Sequence, residues 1–312
     1  MELHGHPKYD AGHRARTSVF LFDDRVIALG SGIRNDDRRH ETETTLFQAH
    51  LADPSAPTVL GGRGPITSLP HTERLERIPR PTWLVDHVGN GYYLAAGQTV
   101  GLSRSAQTSR DQSGARLTSA DFATAWLQHG RAPRRAGYEY AIVVGASPQE
   151  MTDFTDRMRE TAAAPYQVLR RDDGAHVVRD RATGITGYAV FEPGRRLAVA
   201  PVAEVDTPCM ILLRRAGDAL VLSVTDPDLR LYEGNDPGQY DARGRFVGGV
   251  SPFAVSWRSD PSRPHTLRIT LDGVWRLREA DGEVRAAVAG GSTVVKVRTV
   301  DGQPVQMRLE PA

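Results

Sequence analysis

Lysine and cysteine are nearly missing from this chain. Of 39 basic residues among 312, only Lys8 and Lys296 are lysines. Positive charge is therefore carried by arginine, whose planar fork suits carboxylate and sulfate groups. A codon preference across the genome explains the same bias and outranks an acidic ligand on this observation alone. The single Cys209 excludes an internal disulfide and a cysteine-based zinc site, and leaves the compartment open. No run of about 18 apolar residues occurs, so no helical membrane span is expected. The opening MELHGHPKYD has no apolar core and does not read as a secretory signal. A large charge of one sign is absent too. The net charge is +1 at pH 7, which provides no global field to draw in nucleic acid or an anionic membrane.

With 39% hydrophobic and 25% charged residues, the composition is that of a globular protein, long enough for one large domain or two ordinary ones. Alternating segments bounded by turn residues recur almost throughout, which predicts an all-β architecture. TSVFLFDDRVIALGSGI (17–33) reads as two strands joined by Asp23-Asp24. WLVDHVGNGYYLAAG (83–97), YEYAIVVGA (138–146), YQVLRRDDGAHVVRD (166–180) and GITGYAVFEPG (184–194) follow. Each places Gly, Asn or Asp where a tight turn needs positive φ.

One segment differs. SPQEMTDFTDRMRET (147–161) offers Ser147 as N-cap, Pro148 at the first helical position and Glu150 to complete a capping box. Met151, Phe154 and Met158 then recur at helical spacing, which predicts one surface helix lying on a sheet. A seam near 195–207 divides the chain into a larger β domain, 1–203, and a smaller one, 204–312. The polar, Gly-rich stretch 232–249 reads as a long exposed loop.

Signals for chemistry are sparse. His4, His6, His13 and His40 stand near the start, and HGH has the spacing of a metal pair, yet no companion cysteine or HExxH pattern supports it. The reading is no metal. GGRGP (61–65) lacks the Lys-Ser/Thr of a phosphate loop and is a turn; RAPRR (131–135) reads as a solvated loop. Asp36-Asp37 is explained by a turn before a strand. In ETETTLFQ (41–48), alternation puts Glu43, Thr45 and Phe47 on one face and Thr44, Leu46 and Gln48 on the other. A carboxylate sharing a face with Phe47 is either near a strand end in water or held for a purpose.

Seven segments in register, among them SVFLFDDRVIALGSGI, ETETTLFQ, WLVDHVGNGYYL, AWLQHGRAPRRAGYEYAIV and ITGYAVF, resemble the C-terminal part of the chondroitin sulfate ABC lyases of polysaccharide lyase family 8. The resemblance implies a large antiparallel super-sandwich with one surface helix, followed by a small C-terminal β-sandwich. It implies β-elimination on chondroitin, dermatan sulfate or hyaluronan, an extracellular or periplasmic setting, and no nucleic-acid or membrane partner. In that family an α/α toroid supplies His, Tyr and Arg, and the sandwich adds one Glu, which corresponds here to Glu43. No toroid is present in this sequence, so His6 and His13 are not promoted in its place. The expectation is a piece of a longer enzyme or a truncated product, inactive alone. Arg14, Arg16 and Arg34 are the candidates for polysaccharide contact. No cofactor is expected, and dependence on a divalent cation such as calcium stays open. The alternative from another class is a non-catalytic carbohydrate-binding or scaffolding module; a third is a decayed remnant.

Overall fold

The computed structural model describes residues 1–5, 10–229, 243, 245 and 262–312. His6 and, apart from Arg243 and Arg245, the loop expected at 232–249 lie outside the described residues. The chain forms two compact units, Met1–Gly184 and Ile185–Ala312. Within each unit the strand pairings among the described residues are antiparallel.

The first unit is built on two sheets. One is eight-stranded, in the order β1 (Glu2–His4), β2 (Arg14–Phe22), β3 (Arg25–Arg34), β12 (Ala136–Val143), β9 (Gly91–Leu94), β8 (Thr82–Val85), β5 (Thr58–Leu60), β6 (Pro65–Ile66). The other is four-stranded: β4 (Thr42–His50), β11 (Leu117–Gly130), β10 (Thr99–Arg110), β7 (His71–Leu75). The core between them takes Ala28, Leu84, Tyr92 and Leu94 from the first sheet. Leu46, Phe47, Leu102, Ala125 and Leu127 come from the second. These are the inward residues of strands whose alternate positions face out.

The far face of the large sheet is covered as well. Helix α1 (Pro148–Arg159) starts where predicted, with Ser147 as N-cap and a complete capping box with Glu150. It lies on β8 and β9 through buried Met151 and Phe154, the Phe154 ring meeting Tyr93 edge-on at 5.8 Å. The hairpin β13 (Tyr166–Arg171) and β14 (Ala175–Asp180) covers β2 and β3. Strands of the large sheet therefore carry apolar residues on both faces, as in Ile27-Ala28-Leu29, all buried.

In the second unit, β15 (Ile185–Val190), β17 (Cys209–Ala216), β18 (Ala219–Thr225), β23 (Val305–Pro311) and β20 (Trp275–Ala280) are hydrogen-bonded in that order. A second sheet runs β16 (Val202–Val205), β19 (His265–Asp272), β22 (Ser292–Thr299), β21 (Val284–Ala289). Alternation is regular: Cys209, Ile211 and Leu213 are buried while Met210 and Leu212 face out. Burial pushes the Cys209 thiol up to about 12, which leaves it unreactive.

Candidate functional site

The stretch around Glu43 does not alternate as a regular strand would. β4 pairs with β11 so that Phe47 opposes Ala125 and Thr45 opposes Trp126, leaving Leu46 as an extra residue. A second irregularity lies on the partner strand: Glu43 opposes Gln128 and Thr42 opposes Gly130, so His129 is the extra residue there. Two bulges thus bracket three residues of β4, and each reverses the side-chain alternation. Leu46 and Phe47 are consecutive and both buried. Glu43 and Thr45 therefore face solvent, on the side opposite Phe47, which corrects the shared face expected from uninterrupted alternation. The physical reason is local: one added residue moves everything beyond it to the other face.

Glu43 stands near the start of β4, on the outer face of the four-stranded sheet. The Gln128 side-chain amide donates to its Oε1 at 3.4 Å. Its carboxyl is held above the ordinary range, first by partial burial and then, against the Gln128 bond, by the like charge of Glu41. Arg74 of β7 attracts it from a distance too great for an ion pair. Glu41 itself pairs with Arg131 at 3.3 Å.

Trp126 is placed by Gly101, its register partner on β10. A Cβ at Gly101 would lie 2.2 Å from the indole ring, so only glycine lets the ring lie across the strand. The indole N–H is buried and acts on the Glu43 carboxylate, favouring its charged form against the burial, while Gln128 Oε1 is buried with no hydrogen-bond partner among the described residues. His129, turned by its bulge, bonds Thr44 Oγ1 through Nε2 at 2.8 Å and stacks on Tyr138. Burial lowers its pKa and keeps it neutral near pH 7.

A groove of about 490 Å³ opens at this end of the sheet. Arg74, Glu76, Arg77, Thr99, Gln128 and His129 are among its lining residues. Sequence reading missed these. Alternation in HTERL sets Thr72 and Arg74 on one face, but the pairing of β7 with β10, which carries Arg74 to Gly101 and Trp126, joins residues far apart in the chain.

The three arginines singled out earlier lie elsewhere. Arg14 and Arg34 are register partners on β2 and β3. Arg14 donates to the carbonyls of Ala11 and His13 at 2.9 and 2.7 Å. Arg16 pairs with Glu2 at 3.6 Å and donates to the Asp173 carbonyl. Arg34 is exposed at its strand end. None of the three lines the groove. The acidic turn is filled by its own chain: Asp37 accepts from His40 Nδ1 at 2.6 Å and from the amides of Arg39 and His40. No cluster of three or more His, Cys, Asp or Glu fit to hold a metal occurs among the described residues.

Residues 1–155 match the family model for the super-sandwich domain of polysaccharide lyase family 8, and residues 167–230 match that for its C-terminal β-sandwich domain. The chain is 39% identical over 279 residues to a chondroitin sulfate ABC exolyase of Proteus vulgaris, covering 89% of this chain and 26% of that protein. It is 30% identical over 315 residues to a chondroitin sulfate ABC exolyase of Bacteroides thetaiotaomicron, covering 99% and 29% respectively. Among solved structures, a Paenibacillus xanthan lyase superposes with a TM-score of 0.74 at 20% identity, over 100% of this chain and 27% of that one. The chain thus spans between a quarter and a third of the length of these relatives.

Proposed function

The chain belongs to polysaccharide lyase family 8, of which it is a sandwich part, and from that premise we propose that it works as the sandwich half of a glycosaminoglycan lyase. The reaction in this reading is β-elimination on chondroitin or dermatan sulfate. A base removes the proton next to the uronate carboxylate, the 4-linked oxygen departs with a proton, and a C4–C5 alkene remains in the ring. The carboxylate must be neutralised for that proton to become acidic, and the departing oxygen needs an acid. An α/α toroid supplies the His, Tyr and Arg for these steps, and Glu43 reaches across the cleft to orient one of them through a charged hydrogen bond.

The placement of Glu43 carries this reading. It faces solvent between two bulges, beside a groove, with no ion pair among the described residues and with a like-charged neighbour. A carboxylate kept beside a cleft where its charge is disfavoured is a candidate for a working site. Arg34, exposed at its strand end, remains the one of the three early arginines with a guanidinium available for polysaccharide. An extracellular or periplasmic setting belongs to the same proposal; no helix among the described residues is long and apolar enough to cross a membrane. So does the division after residue 203, beside the compact-unit boundary at Gly184 and Ile185. Limited proteolysis with mass measurement separates the two boundaries.

The test of function is reconstitution. Mixed with chondroitin sulfate and a family toroid domain, the chain is expected to generate ultraviolet absorbance from the conjugated alkene. Glu43→Gln should lower that turnover by at least about a hundredfold, the loss typical of a positioned catalytic group. Full turnover by the variant removes Glu43 from the mechanism. Saturable polysaccharide binding with no product, toroid present, favours the carbohydrate-binding module instead.

A further inference from the structure

The four-stranded sheet of the second unit carries a line of cations on its outer face. Arg268 on β19 opposes Lys296 on β22, and Lys296 opposes Arg285 on β21, so three positive side chains stand abreast on adjacent strands. All three are exposed. Leu267, Ile269, Val295 and Val297, their neighbours along β19 and β22, are fully buried. Alternation therefore fixes the row outward on a packed base. Arg298, two residues beyond Lys296 on the same face, is exposed as well. Neighbouring strands lie about 4.8 Å apart, so the row spans about 10 Å.

Like charges directly opposite each other across a sheet are destabilising. The surroundings do little to relieve this. Arg268 and Lys296 make no ion pair among the described residues. Glu283 pairs with Arg285 at 3.9 Å and with Arg298 at 3.6 Å, one charge shared between two guanidinium groups. The Asp206 carboxylate is spent on its own surroundings, accepting from the Arg268 amide at 2.7 Å and from Thr207 Oγ1 at 3.1 Å. Glu204 is exposed one row away, opposite Thr270, and Asp272 pairs with Arg196 at 3.6 Å. A row whose members repel in the free protein is relieved when an anion binds to it. Because the charges lie in a line, the ligand that matches them all is a linear polyanion crossing the strands. Arginine forks suit its carboxylates and sulfates, and Thr266 and Thr270 flank Arg268 with hydroxyls for neutral contacts.

We infer that this face of the second unit holds an acidic polysaccharide of the chondroitin sulfate kind, anions on successive sugars meeting Arg268, Lys296 and Arg285. The ligand class rests on the proposed function. The place and the role, retention of the polymer rather than its cleavage, do not involve Glu43.

Isothermal titration of the whole chain with chondroitin sulfate polymer tests it, and should show saturable binding that high salt weakens. Lys296→Glu sets a carboxylate between Arg268 and Arg285, so this variant should melt no lower than the parent while binding about tenfold or more weakly. Lys296→Thr, which removes the charge with a good strand former, should lose affinity in the same direction by less. Arg214→Glu makes the same change in net charge at an exposed position of the other sheet and should leave binding unmoved. Equal losses in Lys296→Glu and Arg214→Glu, binding unmoved by Lys296→Glu, or no saturable binding by the parent overturns the inference. Tighter binding of polyglutamate or of double-stranded DNA than of chondroitin sulfate overturns the choice of polysaccharide. Glu43→Gln in the toroid-supplemented assay reads cleavage separately. Turnover that depends on Glu43, with binding indifferent to Lys296, removes this face alone; the reverse pattern removes the lyase mechanism and leaves the face.

Discussion

Glu43 and His176 titrate in opposite directions, and each direction tells what the residue is for. The raised pKa of Glu43 means its charged form is less favourable in the fold than in the unfolded chain. Its contribution to stability therefore falls as pH rises through the carboxylate range. Glu43→Gln should melt at the same temperature as the parent or higher at neutral pH; a clear drop would make Glu43 a structural residue. His176 is fully buried, bonded to Ser18 Oγ at 2.7 Å through Nδ1 and to Ser31 Oγ at 2.9 Å through Nε2. Burial first, and then the nearby charge of Arg171, push its pKa down to about 4. With a folded value below the unfolded 6.5, its stability contribution is complete above pH 6.5 and is lost as pH falls toward 4. The swing approaches about 3 kcal/mol at 1.36 kcal/mol per pH unit. Urea unfolding at stepped pH reads it directly, and a flat profile across that window removes His176 from the account.

Among the elements, β4 matters most to the site. Its bulge at Leu46 is what lets the strand keep Phe47 in the core and Glu43 in water. Deleting Leu46 leaves Glu43 and Thr45 facing out, now by strict alternation, but takes a buried side chain from the core. Losing that side chain makes the deletion cost about 3 kcal/mol, measurable by urea denaturation. A variant of unchanged stability would mean that Leu46 adds nothing to the core. β10 places a different kind of constraint on the fold. Its Arg104 is fully buried with no carboxylate partner among the described residues, and its guanidinium holds the Pro54 and Ala56 carbonyls and Thr58 Oγ1 at 2.7, 3.0 and 3.2 Å. It ties the 51–57 connection to the sandwich, a role a lysine could not fill with one ammonium.

On the scale of the whole molecule, the chain has a core for each of its two units and a site that is open on one side. The isolated chain should therefore fold, with a cooperative melt, and show no lyase turnover on chondroitin or dermatan sulfate. Alkene absorbance produced by the purified chain alone would overturn the division of labour between sandwich and toroid proposed above. The arginine-rich composition gains a narrower meaning at this scale. Many of these side chains pair with neighbouring carboxylates, as Arg131 does with Glu41 and Arg134 with Asp36 at 2.8 Å. Such exposed pairs contribute little to stability individually.

The sequence by itself determined the all-β class, the turn between β2 and β3 at Asp23-Asp24, the capped helix on the large sheet and the family. Those features are written in local patterns: alternation, turn chemistry, a capping box and motifs in order. Only the tertiary structure decided which face Glu43 occupies and which residues surround it. A bulge is defined by the partner strand, so nothing within ETETTLFQ shows that Leu46 is the extra residue. Arg77 and Gln128 lie 51 positions apart in the numbering, and meet at one groove because β7, β10 and β11 pair side by side. Cross-strand neighbours are chosen by the sheet, not by the chain, and the site is made of them.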